Sequence, residues 1–579
     1  MNNNNNNNNN QTPTPTSTST IDEIKILEEP LNISEYYEGV SVLITGASGF
    51  LGKVLLEKLV FSQPKLNKIY LLLRPLNGEA PHLRLSKILE SPLFSRIRCK
   101  DENRLERMLV PICGDLMQED LGLSCEDQET LANEVSIVFH CAATVKFDEA
   151  LRASIQMNVI GTQRLTALCR RMKQLRAFVH TSTAYANCNK EYTSEHIYEP
   201  CVNASKLVEA ASSWMNEKML DSLSAQLLDN RPNTYTFAKA LAEIQLLEQQ
   251  KQFPSLPIII IRPSIVGAIW KEPLPGWIDN VNGPTGIFIG VGKGLLTDMC
   301  GNVDIKTDII PVDIVANMLI AAAVYRAKMP SKEEYNEKTT TIPIIHCTSG
   351  ELNPLKWRRI VNYLEQFFHA YPFDQCYRVP STQFHRQRKL FLINFYLKHY
   401  LIAQAADRTF KLVGKRPKFV KIYNKIWRMM ETLHYFTTRE WTFESKNAVK
   451  LWNGMSVEDK KLYNFDIRKV DWDTYLFNYL MGIKIYMLKE RLENLPKAQA
   501  ALSWLRQFNF YSTGLCFALI LRFTIWRRQK RHKWIPWFTG FFLSYFYQNY
   551  NILRRPSADL IPLEEYKRQS IPHYLEKFS

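Results

Sequence analysis

Tyr235 and Lys239 stand four residues apart in the run Pro232-Asn-Thr-Tyr-Thr-Phe-Ala-Lys-Ala-Leu-Ala-Glu243. On a helix, positions i and i+4 share a face, so a phenol and an ammonium are presented to one spot. The ammonium favours the phenolate and makes the phenol a better proton donor and acceptor. A third polar group is expected from Ala177-Phe-Val-His-Thr-Ser-Thr-Ala-Tyr185, a strand-like run that ends in hydroxyls. Thr183 is the choice for the hydroxyl that meets a substrate carbonyl beside Tyr235. Ser182 and Thr181 are rivals, because a slip of one residue changes the answer.

Such a set needs a scaffold that also holds a redox cofactor. Val42-Leu-Ile-Thr45 is a short apolar run suited to a strand buried on both faces. It leads into Gly46-Ala-Ser-Gly49-Phe-Leu-Gly52, after which Val54, Leu55 and Leu59 recur at helical spacing. A glycine turn between strand and helix lets the backbone approach a pyrophosphate over the helix N-terminus. Gly46, Ser48, Gly49, Phe50, Leu51 and Gly52 are therefore cofactor-binding candidates. The next strand, Ile69 to Leu73, ends at Arg74. An arginine there suits a 2′-phosphate, which favours NADPH over NADH. Later strand ends add Asp115 and Leu116 near an adenine site, small Ala142, and Pro263 and Ser264 after Ile258 to Ile261. Strands alternating with helices predict an α/β fold, a doubly wound Rossmann-type parallel sheet with its ligands at the strands' carboxyl ends. Tyr235 and Lys239 would also touch the cofactor, Lys239 binding the nicotinamide ribose and lowering the Tyr235 pKa.

These segments, with His140-Cys-Ala-Ala-Thr-Val-Lys-Phe-Asp148, resemble the extended short-chain dehydrogenase/reductases and, more narrowly, the fatty acyl-CoA reductases. Ser48 and Ala238 stand where that family usually or often has threonine. The resemblance continues through Phe436-Thr-Thr-Arg-Glu-Trp441, Asp471-Trp-Asp-Thr-Tyr475 and Gly482-Ile-Lys-Ile-Tyr-Met-Leu-Lys-Glu490, and covers roughly residues 34 to 553. It implies a mainly helical second domain. It also implies reduction of a fatty acyl-CoA by NADPH, through an aldehyde, to a primary alcohol with release of CoA. The glycine and Tyr/Lys motifs alone would equally fit a hydroxysteroid dehydrogenase or an epimerase, or an inactive lipid-surface protein. Residues 350–490 separate those readings from the reductase.

The 579 residues allow several domains. The expected division is a disordered Asn/Thr/Pro-rich head at 1–30, a reductase domain at 31–350, a helical domain at 351–495 and a membrane-anchor tail at 496–579. Eleven scattered cysteines form no Cys-x-x-Cys pair and no Cys/His cluster, which argues against a disulfide framework and a metal site. The net charge is +16, and residues 411–430 are basic without an acid. Interleaved apolar residues make this a basic amphipathic helix, suited to a membrane surface or acyl-CoA phosphates, or simply to packing with a solvated basic side. No nucleic-acid motif accompanies the charge. Residues 507–526 are expected to anchor in a membrane and 534–553, rich in aromatics, to follow or to lie at the interface. The basic run Arg527 to Lys533 lies between them. A buried hairpin is the alternative. The tail and the resemblance together imply an integral protein of the endoplasmic reticulum or peroxisome, with its catalytic domain facing the cytosol.

Overall fold

A computed structural model describes residues 30–75, 78–100, 103–199, 202–329, 342–524, 534–554 and 560–570. The head expected to be disordered, up to residue 29, and the basic run 527–533 lie outside the described residues. At the centre is a sheet of seven strands: β1 (Ser41–Thr45), β2 (Ile69–Leu73), β3 (Leu109–Cys113), β4 (Val135–His140), β5 (Ala177–Thr181), β6 (Ile258–Pro263) and β7 (Ile344–Cys347). Their order is β3-β2-β1-β4-β5-β6-β7, and every neighbouring pair is parallel. This is the expected doubly wound sheet, with one strand, β7, that the sequence reading did not single out.

The strands read as unbroken apolar runs because both faces are covered. Alternate residues enter different cores: Val42 and Ile44 join one cluster, Leu43 the other. On the first face lie α1 (Phe50–Ser62) and, after β6, α3 (Val312–Lys328), whose small residues Ala316 and Ala321 to Ala323 are fully buried. On the other face lies α2 (Thr234–Gln252). The Asn233 side chain caps α2 by accepting from the Thr236 N–H at 2.9 Å, which fixes where the helix starts and so where Tyr235 sits.

The C-terminal part is mainly helical, as expected: α4 (Trp357–Ala370), α5, α6 (Phe419–Thr438) and α7 (Trp472–Gly482). α5 consists of Arg388–Phe395 and Leu401–Leu412 joined through the wide turn Tyr396–Tyr400. Its buried residues Phe391, Phe395, His399, Ala403 and Asp407 recur every four positions. A regular helix would rotate such a series off one face, and the wide turn takes up the excess. α7 docks on the sheet domain, where the Tyr475 hydroxyl donates to the Ala268 carbonyl at 3.1 Å. One buried cluster runs from Leu31 to Tyr566 through both parts.

The tail forms a hairpin of α8 (Leu495–Thr524) and α9 (Ile535–Arg554). The two helices cross closely, since a Cβ on Gly540 would lie 2.5 Å from the Ala518 nitrogen. Among the described residues no helix is long and apolar enough to cross a membrane, so the span expected at 507–526 is not found. Gln507, Asn509, Ser512, Thr513, Arg522 and Thr524 lower its apolarity. Moreover, residues beyond the hairpin return to the body, where Tyr566 is buried against Phe477 and the Tyr371 hydroxyl donates to the Ile561 carbonyl. Both ends of the hairpin therefore lie on the same side, which a single crossing would not allow.

Candidate active site

Gly46, Arg74, Asp115, Ala142, Thr183 and Ser264 follow β1 to β6 and so gather along the carboxyl edge of the sheet. Gly46 has φ +77°, and a Cβ there would lie 2.6 Å from the Ala142 nitrogen. A Cβ on Gly52 would lie 2.2 Å from the Gly46 carbonyl oxygen. Only glycine permits this turn, and it holds open a backbone cradle at the N-terminus of α1. Ala142 is fixed opposite by a hydrogen bond from its N–H to the Thr45 hydroxyl at 3.3 Å. Phe50 stacks on Trp277, and half-buried Leu51 packs against the same core.

At the far end of the cradle the structure adds a residue that the sequence reading missed. Arg84, on the helix Pro81–Leu89, donates to the Arg74 carbonyl at 2.7 Å and to the Ser48 hydroxyl at 2.9 Å. Partial burial lowers the Arg84 pKa, and the neighbouring Arg74 charge lowers it further. Two like positive charges near enough to oppose each other suit an anion. Nothing in spacing could have found Arg84, because its helix is set by the loop after β2. Asp115 accepts from the Met117 N–H at 3.0 Å and shapes the turn after β3, while buried Leu116 offers its carbonyl to Arg164.

Tyr235, Lys239 and Thr183 come together at the β5 end. The Thr183 hydroxyl lies close enough to the Tyr235 phenol to favour its charged form; it donates to the Pro263 carbonyl at 3.4 Å and accepts from the Tyr185 N–H at 3.3 Å. Its rivals are occupied elsewhere. The Thr181 hydroxyl faces the Cys141 thiol at 3.4 Å, and Ser182 donates to the buried Glu243 carboxylate. Lys239 donates to the Thr181 carbonyl at 2.7 Å. Burial lowers the ammonium's pKa to about 8, and the same burial pushes the phenol up to about 12. The expectation that Lys239 would lower the Tyr235 pKa is thus not met. Desolvation outweighs the nearby Thr183 hydroxyl, and Lys239 itself is poorly solvated. Behind it, His140 and His180 lie 5.2 Å apart with their rings tilted and their pKa values pulled far down by burial, so the inner wall is neutral.

Glu243, one turn beyond Lys239, pairs through both oxygens with Arg262 of β6 at 2.8 and 2.7 Å. Arg262 also donates to the Ser194 and His196 carbonyls. This buried pair locks α2 to the sheet and is the second feature that the sequence reading did not single out.

The C-terminal part roofs the site. Phe147 stacks on the Tyr235 ring at 5.7 Å and lies 5.8 Å from Phe436 at the end of α6. Tyr185 meets Phe436, Trp441 and Phe443 edge-on. A cavity of about 280 Å³ opens beside this roof, lined by Phe147, Asn233, His434, Tyr435 and Arg439.

A doubly wound parallel sheet with a glycine cradle at its carboxyl edge defines a nicotinamide-dependent reductase. A family model described as Male sterility protein, NAD-binding, matches residues 44–319, and a second Male sterility protein model matches 398–490. Fatty acyl-CoA reductase 1 of Rattus norvegicus is 40% identical over 520 residues, 89% of this chain and 98% of that protein. The Homo sapiens protein of the same name is 39% identical over 519 residues, with the same coverage. Fatty acyl-CoA reductase 2 of Bos taurus is 38% identical over 517 residues, again 89% and 98%. This chain belongs to the fatty acyl-CoA reductase family and is an enzyme. The terminal R domain from the myxalamid PKS-NRPS biosynthetic pathway shares the fold, with a TM-score of 0.52 at 20% identity over 78% of this chain and 91% of that one. So does the reductase domain of a nonribosomal peptide synthetase from Mycobacterium tuberculosis, with a TM-score of 0.52 at 17% identity over 80% and 94%.

Proposed function

We propose that this protein reduces long-chain fatty acyl-CoA to a primary alcohol at one site, using NADPH and releasing CoA. The observation that carries the reading is the gathering of Thr183, Tyr235 and Lys239 at the end of β5, beneath Phe147 and the Phe436 that packs on it. The residues present fit NADPH: the Gly46–Gly52 cradle takes the pyrophosphate, and Arg74, Arg84 and Ser48 take the 2′-phosphate. When bound, one NADPH would supply hydride to the thioester carbonyl, and a second, bound after the first has left oxidised, would supply it to the aldehyde.

The remaining chemistry belongs to the chain. Thr183 and Tyr235 receive the carbonyl oxygen between them, and Tyr235 donates the proton as negative charge develops there. With its pKa raised to about 12, the phenol keeps that proton throughout the neutral range. Lys239, one turn along the same helix face and held by the Thr181 carbonyl, is placed to bind the nicotinamide ribose. The aromatic roof keeps water away and strengthens these interactions. The cavity beside Phe147 and Arg439 receives the pantetheine end of the substrate. The aromatic hairpin holds the protein at a lipid surface, where a long-chain substrate and product both partition.

Purified protein given a long-chain acyl-CoA with NADPH yields fatty alcohol in this reading, and Tyr235→Phe retains NADPH binding while losing turnover. Absence of alcohol at every chain length, with NADPH bound, would refute the activity. Turnover by Tyr235→Phe would move the proton to another residue.

A further inference from the structure

The outer face of α5 is apolar although nothing among the described residues covers it. Its inner residues pack inward, with Phe391 and Phe395 against Trp427 and Tyr423 of α6. On the opposite side, Leu390, Ile393, Leu397 and Leu401 form a row at helical spacing; Ile393 is 56% exposed and Leu397 55%. A helix apolar on both sides is normally buried, and an exposed patch of this kind marks a contact.

Charge says with what. Every exposed charged side chain from Arg386 to Arg428 is a lysine or an arginine. The only acid in that stretch, Asp407, is buried and accepts from the N–H groups of Lys418, Phe419 and Val420 at 2.9 to 3.0 Å, which ties the basic turn to α5. The face is also continuous with the hairpin. A cavity of about 1260 Å³ lies between them, with Lys398 and Ile402 of α5 on one wall and Trp504, Phe510 and Phe546 on the other. Apolar row, basic border and exposed aromatics thus share one side of the molecule.

We propose that α5 lies in the plane of an acidic lipid surface, with its Leu390–Leu401 row among the acyl chains and the lysines and arginines of 408–428 against the headgroups. This contact is separate from the hairpin, and it stands on this surface alone, not on the catalytic reading.

Hydrogen exchange of the full chain tests it, with vesicles of phosphatidylcholine alone and with about 30% phosphatidylserine. Amides 388–412 become protected by the acidic vesicles and less so by the neutral ones. Ile393→Glu with Leu397→Glu removes that protection. Lys415→Glu, Arg416→Glu and Lys421→Glu together lower partition into acidic vesicles by roughly tenfold or more, since each basic residue near such a surface contributes roughly fivefold. All five positions are exposed, so the melting temperature stays unchanged and a loss reads as lost docking. Two results overturn the proposal. One is unchanged exchange over 388–412 while the protein floats with the vesicles through its hairpin. The other is protection that rises with protein concentration without lipid, which makes the face a contact between copies.

Discussion

Replacing Lys239 by methionine should make this protein more stable and less active at the same time. The ammonium is buried, 3% exposed, and its pKa is lowered from 10.5 to about 8, chiefly by desolvation. At 1.36 kcal/mol per pH unit, that difference costs the folded state about 3 kcal/mol wherever the group is charged in both states. Methionine keeps the stem and removes the charge. It also strips the Thr181 carbonyl of its donor, which costs about 1 kcal/mol. The net gain at neutral pH is about 2 kcal/mol. The sign follows from proton uptake. Between about pH 8 and 10.5 the unfolded chain holds the proton and the folded chain does not, so wild-type stability rises with pH across that window. The advantage of Lys239→Met is therefore full below pH 8 and fades above it. Thermal unfolding without cofactor, at a series of pH values, reads the effect as a shift of a few degrees. Turnover falls by about a hundredfold or more, because the nicotinamide ribose loses the donor that orients it for hydride transfer. A variant less stable than wild type at neutral pH, or an advantage that does not shrink above pH 8, would refute the reasoning.

Arg84→Ala should raise the KM for NADPH by roughly ten- to a hundredfold and leave that for NADH unchanged, since a charge-assisted bond to phosphate contributes about 1.5–3 kcal/mol; steady-state kinetics with both cofactors decides it. Glu243→Gln leaves the Arg262 guanidinium buried without its counter-charge and should destabilise the fold by about 3–5 kcal/mol, read by denaturant unfolding. Gly46→Ala forces a Cβ against the Ala142 backbone at a left-handed φ and should weaken NADPH binding by at least about tenfold in a fluorescence titration. Retained affinity there would move the cofactor away from this turn.

What was legible in the sequence is what local spacing encodes. The turn Gly46 to Gly52, the hydroxyls ending β5 and the Tyr235/Lys239 spacing each lie within one short segment, and strand order makes them neighbours. The choice among Thr181, Ser182 and Thr183 depended on which way each side chain turns. Only the structure shows two of them engaged by Cys141 and Glu243. Arg84 and the Glu243–Arg262 pair depend on how separate segments meet, which no spacing records. The sign of the Tyr235 shift was misjudged because charge was weighed and burial was not. In the tail, hydropathy suggested a crossing, but a hairpin whose two ends return to one body is a long-range fact.

The Tyr235 ring is covered by Phe147 of the reductase part, and Phe436 of the C-terminal part backs Phe147 in turn, so both parts enclose the site. The roof over Phe147 and Tyr185 is fixed to the reductase part by backbone and side-chain bonds. Thr442–Phe443 pairs in parallel with Tyr192–Thr193. The Trp441 indole and the Tyr435 hydroxyl both donate to the Cys188 carbonyl, at 2.9 and 3.0 Å. His346 of β7 meets the Glu444 carbonyl at 2.7 Å, and the Glu195 carboxylate accepts from the N–H groups of His346 and Asn447, each at 2.8 Å. A segment attached so closely around the strand ends cannot swing aside without breaking sheet-edge bonds. Alongside α6 the cavity bounded by Phe147, His434 and Arg439 opens, and the same helix carries Phe436, which packs on Phe147 beside the Tyr235 ring.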